Sequence, residues 1–228
     1  MKKIPNVFQR DWKGNRSLVL PVGNQDADVT WLFDGDPHRA TIKFDGSAVY
    51  FDGERLWVRY DAKLDKGGKP KPFPPVFIQL QERDKAGHLP GWIPAEGNPA
   101  ARWHLEALAN TQRHHWTVEK GTYEAVGPHH QSNPHGFIED RLVGHGDLDF
   151  IDWAFDATGN NFENLHAYAK DFLSKVKFQL QGMKEMSFCE GIVFYRHGHD
   201  HRNGENCCKI LASDLGLDWK AKNRGEDK

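Results

Sequence analysis

The chain has 228 residues, with 30 Lys and Arg against 32 Asp and Glu, a net charge of −2 and 38% hydrophobic residues. This is enough for a sizeable core in one domain, without the basic excess of a non-specific nucleic-acid coat. Its three cysteines, Cys189, Cys207 and Cys208, make no even disulfide set, which points to a reducing, cytoplasmic setting. No apolar run approaches the roughly 20 residues needed to span a bilayer, and MKKIPNVFQRDWKGN lacks a signal-peptide apolar stretch, so no membrane role is expected.

Residues 29 to 61 predict strands: VTWLF, ATIKFDG and SAVYFDGERLWVRYD, with Asp52-Gly53 as a two-residue hairpin turn. Residues 62 to 75 are rich in Lys, Gly and Pro and predict a mobile basic loop; VFIQLQE, 76 to 82, alternates again and predicts a return to the sheet. NPAARWHLEALAN, 98 to 110, offers an Asn cap, a first-turn proline and helical apolar spacing. HWTVEKGTYEAVGP, 115 to 128, predicts a hairpin turning near Glu119 to Gly121. From Asn161 to about Phe178 the apolar residues Phe162, Leu165, Ala169, Phe172, Leu173 and Val176 fall on one helical face. Two strands, 187 to 196 and 206 to 215, close the pattern. The class is α+β, mainly antiparallel sheets with flanking helices, as one domain over 1–219 and a charged, disordered tail over 220–228.

Chemistry enters at Thr41-Ile42-Lys43-Phe44-Asp45-Gly46. On an alternating strand Lys43 and Asp45 share a face, so the carboxylate would orient the amine or what it attacks, and Gly46 permits a tight turn beside a ligand. A K-x-D-G alone fits a surface hairpin equally well. Four segments follow in order: Arg59 in RLWVRYD, Glu124 in GTYEAVG, Glu190 opening EGIVF, and Lys209 in CCKIL. Singly, Glu124 and Glu190 fit solvent-facing strand residues and Arg59 a surface cation, whereas Lys209 in an apolar strand calls for an anionic partner.

Together the five segments resemble the nucleotidyltransferase motifs of ATP-dependent ligases and capping enzymes. The contexts GWIPAEGNP, GTYEAVGP and DLGLDW are similar to the compact RNA ligase 1 family, over residues 41 to about 215. The resemblance implies a nucleotidyltransferase (ATP-grasp-like) domain and an RNA ligase using ATP and Mg²⁺ or Mn²⁺ to join RNA ends, 5'-phosphate to 3'-hydroxyl. It implies Lys43 as the nucleophile that becomes lysyl-AMP. Thr41, Ile42, Asp45 and Gly46 would line the nucleotide, and Glu124 would bind ribose hydroxyls. Lys209 would face the α-phosphate and Arg59 the phosphate or ribose. Glu190, with Asp45, would hold the metal.

Two positions depart from the family pattern. Ile42 stands where relatives often carry an acid, and Leu211 stands where a second lysine often follows Lys209, leaving Lys175, Lys177 or Arg196 to share phosphate binding. Trp153 or Phe150 could stack on adenine, though both fit a core better. Lys63, Lys66, Lys69 and Lys71 could meet RNA phosphates or form a solvated charge run. The loop with His197, His199 and His201 before Cys207 and Cys208 lacks zinc-ligand spacing and reads as a solvated hairpin loop. Rival readings are a capping guanylyltransferase, a DNA ligase, both disfavoured by the absence of a further oligonucleotide-binding module, and a non-catalytic RNA-end binder.

Overall fold

In the computed structural model the described residues are 3–13, 16–35, 38–65, 67–69, 72–84, 87–150, 152–157, 159–198 and 206–226. The class is α+β, mainly antiparallel, with few helices. Where the sequence reads as one domain, the chain forms two compact units, residues 46–145 and residues 3–45 with 146–228. His199, His201, Lys66 and Lys71 lie outside the described residues.

The discontinuous unit is built on a three-stranded antiparallel sheet: β3 (His38–Lys43), β10 (Gly191–Arg196) and β11 (Cys207–Leu211), with β10 in the centre. An N-terminal hairpin, β1 (Phe8–Lys13) and β2 (Arg16–Gly23), precedes it. The segment before β1 runs alongside β11, Lys209 donating its amide to Pro5 and accepting from Val7 at 2.9 Å each. Apolar alternation places Ile192, Phe194, Cys208 and Ile210, all at most 2% exposed, on one face of the sheet. Each large aliphatic or aromatic side chain so buried contributes about 1.5–3 kcal/mol. Helix α2 (Phe162–Lys175) belongs to this unit. Asn161 caps it by accepting from the Asn164 amide, and Leu165, Ala169 and Leu173 are buried as their spacing predicts.

The continuous unit holds a six-stranded antiparallel sheet. In spatial order its strands are β6 (Ile78–Gln79), β7 (Pro90–Pro94), β5 (Leu56–Asp61), β4 (Ser47–Phe51), β8 (Gly121–Val126) and β9 (Arg141–Gly144). Val49, Leu56, Val58, Ala125 and Leu142 face a core completed by Ala101 and Ala107, the latter on helix α1 (Arg102–Arg113). Asn98 starts that helical stretch by accepting from the Ala100 amide.

Several expectations are corrected. VTWLF is no strand: Thr30–Phe33 form a 3-10 helix, Asp28 accepting from the Thr30 amide and hydroxyl, and consecutive Trp31 and Leu32 are both buried, which alternation does not allow. The β4–β5 hairpin forms, but across four residues, because Phe51 pairs with Leu56. Asp52 accepts from the Arg55 and Glu54 amides and the Trp57 indole, which together hold its carboxyl down to about 2. The 115–128 hairpin is absent because β4 and β9 occupy both edges of β8, and His115 turns the chain at φ 60. The strand expected over 76–82 shrinks to an edge pair whose Ile78 is exposed. The C-terminal residues do not begin a disordered tail at 220: Trp219–Asn223 form helix α3, with Asp218 as its cap and Trp219 buried.

Candidate functional site

The register of the three-stranded sheet aligns the sequence motifs. Gly191 pairs with Lys43 on one side and Leu211 on the other, and Val193 pairs with Thr41 and Lys209. Directly opposed residues, and those two apart along a strand, point to the same face. Lys43, Thr41 and Lys209 therefore share one face, while Ile42, Ile192 and Ile210 share the other. The Lys43 amine donates to Glu190 at 2.5 Å and to its own neighbour's carbonyl, Phe44, at 3.2 Å. Glu190 is placed by the sheet itself, its amide donating to the Lys43 carbonyl. A Cβ at Gly191 would meet the Ile210 carbonyl oxygen at 2.1 Å, which is why a glycine follows this acid.

Lys209 is partly buried, and among the described residues no carboxylate lies within ion-pair distance of it. Burial, then repulsion from Lys43, pull its ammonium down to about 8, with Arg10 and Lys3 adding to the positive field and Glu190 opposing it. Arg10 is itself held in a two-pronged pair by Asp214, at 2.9 and 2.7 Å. The face thus gathers more cationic than anionic groups, the electrostatics of an anion site. A thiol nucleophile is disfavoured here, since burial pushes Cys189 up to about 12 and Cys207 up to about 11.

Asp45 departs from expectation. Strand β3 ends at Lys43, so alternation does not carry through Phe44, and Asp45 forms an ion pair with Lys220 of α3. Thr41 is buried, its hydroxyl donating to the Val193 carbonyl at 3.0 Å, and Ile42 faces the core side. Trp153 and Phe150 pack around Phe172 of α2, and Trp153 also touches Phe194 on the core-facing side of the sheet. Phe150 is a core residue, and Trp153 is half-buried against the same cluster.

The remaining two motif residues lie on the six-stranded sheet. Arg59 pairs with Trp92, Glu124 pairs with Ala48 and Val143, and the register of β4 sets Arg59 and Glu124 on one face, opposite the α1 core. Two strand spacings, about 10 Å, separate their strands. The Arg59 guanidinium sits 5.5 Å from the centre of the Trp92 ring, and burial lowers its pKa. Glu124 accepts from the Gly46 amide at 3.1 Å and pairs with His145 Nε2 at 2.8 Å. A Cβ at Gly46 would strike the Ala125 carbonyl oxygen at 2.3 Å and the Glu124 side chain at 2.9 Å, so this glycine also serves close approach.

Of the cations considered in place of Leu211, Lys175 pairs with Asp171, Lys177 covers Phe188 and Arg196 lies near Trp31 at the far end of β10. Among the described residues no three His, Cys, Asp or Glu side chains cluster as a metal cage, and no helix is long and apolar enough to cross a membrane. A divalent ion bound with phosphate oxygens and water needs only one or two carboxylates, a donor set that Glu190 fits. Sequence reasoning missed Lys220 and could not assign His145 a partner; their partners are 175 and 21 residues away. No protein-family model and no curated protein sequence matches this chain.

Proposed function

We propose that the chain is an ATP-dependent RNA ligase that joins 5'-phosphate and 3'-hydroxyl RNA ends through a lysyl-AMP on Lys43. The observation that supports this reading most is the gathering of Lys43, Glu190 and Lys209 on one sheet, with no carboxylate among the described residues within ion-pair distance of the Lys209 ammonium. A phosphate monoester is a poor electrophile, so an activated adenylate must precede sealing.

In the first step Lys43 Nζ bonds to the α-phosphorus, the bond to pyrophosphate breaks, and the amine proton leaves to solvent. The ion pair with Glu190 opens beforehand, because an ammonium has no lone pair to attack with. In the second step the P–N bond breaks as the RNA 5'-phosphate takes AMP. In the third the 3'-hydroxyl attacks that phosphate, loses its proton and releases AMP. Negative charge grows on phosphate oxygens throughout, and on this reading Lys209 would stabilise that charge. Mg²⁺ or Mn²⁺ held by Glu190 would neutralise phosphate charge. Arg59 and Glu124 take their phosphate and ribose roles from the motif resemblance.

The test uses ATP labelled at its α-phosphate, with Mg²⁺, followed by denaturation. Wild type is expected to retain label, Lys43→Ala none, and labelled enzyme given RNA with the two end chemistries is expected to yield sealed product. Label taken from GTP in preference to ATP would move the reading to a capping guanylyltransferase. Retention of no nucleotide would end it.

A further inference from the structure

We infer that Lys220 of α3 is a positioning residue for the K-x-D-G segment, making the C-terminal helix part of the nucleotide site. The inference rests on the ligase reading above for its substrate class. The Lys220 ammonium is ion-paired with the Asp45 carboxylate, two residues after Lys43. Asp45 is the more enclosed partner, its side chain 17% exposed against 42% for Lys220, so the lysine reaches in from the surface side.

The helix that carries Lys220 is fastened independently of this pair. Trp219 is buried, Lys222 donates to the Ser174 carbonyl, and the Asn223 side chain accepts from the Phe188 amide and donates to the Phe188 carbonyl and Ser187 hydroxyl. Residues 187 and 188 lead straight into Cys189 and Glu190. One short helix thus grips the segments carrying both members of the Lys43–Glu190 pair. The sheet row through Lys43, Gly191 and Leu211 offers no second lysine, so the cation that reaches the K-x-D-G segment comes from α3 instead. A carboxylate held this way keeps the turn after Lys43 in one conformation and sets where the amine presents.

Two readouts on Lys220→Ala, Lys220→Arg, Asp45→Asn and the double variant Asp45→Asn/Lys220→Ala test this. In self-adenylylation, Lys220→Ala is expected to lower the rate constant about 10–100-fold, the usual effect of losing a group that orients a reacting one. Lys220→Arg should restore most of it, and the double variant should be no worse than the poorer single variant. The second readout needs no nucleotide: amide hydrogen exchange over residues 43–46 should quicken in Lys220→Ala and not in Lys220→Arg. Wild-type rates and unchanged exchange in Lys220→Ala, or additive losses in the double variant, would overturn the positioning role. If wild type takes no label while exchange still responds to Lys220, the positioning stands and the ligase reading falls.

Discussion

The two sheets treat their charged residues in opposite ways. On the six-stranded sheet Glu124 is satisfied within its own unit, by the Gly46 amide and His145, and Arg59 lies over Trp92. On the three-stranded sheet Lys43 and Glu190 satisfy each other, while Lys209 shares their neighbourhood and, among the described residues, has no carboxylate within ion-pair distance. Matched charge contributes to folding, whereas an unmatched cation in a partly buried setting costs stability; on the ligase reading that cost is offset when a phosphate binds. Removing Glu124 from the first sheet should therefore cost stability, whereas removing Lys209 from the second should cost activity and gain stability.

The widest expected gap concerns Lys209. Lys209→Met should slow self-adenylylation about 100–1,000-fold, the effect of removing one group that stabilises developing negative charge. At pH 7 it should also unfold at higher urea than wild type. A lysine whose folded pKa is depressed to about 8 is disfavoured as a cation in the native state. That penalty is full below about pH 8 and fades toward the unfolded value near 10.4, because the unfolded chain binds the extra proton in between. The stability advantage of Lys209→Met should therefore shrink between pH 8 and 10.5, read from urea midpoints; a variant less stable than wild type at pH 7 would break the contrast.

Next in size, Glu124→Ala should destabilise by about 1–3 kcal/mol, because the Gly46 amide and His145 lose their acceptor. Denaturant unfolding measures it, and an unchanged midpoint would show that the pairing contributes nothing. Smallest is Lys175→Ala, which breaks an exposed i,i+4 pair with Asp171 and should shift stability by under about 0.5 kcal/mol. A larger loss there would mean that surface pairs matter as much as enclosed ones.

Local chemistry made much of this legible from the chain. Asn161 and Asn98 announce helix starts through side-chain caps, alternation finds β4, β5, β10 and β11, and Asp52-Gly53 marks a hairpin. The same logic failed where tertiary contacts outvote the pattern. Trp31 and Leu32 are both swallowed by the core, so an alternating reading cannot hold them, and 115–119 finds the edges of β8 already taken.

At the site, strand register alone puts Lys43, Gly191 and Lys209 on one face, consistent with the motif order. The Asp45–Lys220 pair was hidden because β3 stops two residues before Asp45 and a charged C-terminal run carries no sign of a partner at position 45. Glu124's tie to His145 is likewise invisible in sequence, since it is made by pairing β8 with β9.

The central claim is that the amine at position 43 forms a bond to phosphorus. Peptide mapping by tandem mass spectrometry, after incubation with ATP and Mg²⁺, tests it most directly. The account predicts one AMP on the peptide containing Lys43, removed by added pyrophosphate and absent in Lys43→Ala; an unmodified Lys43, or AMP on another residue, would contradict it.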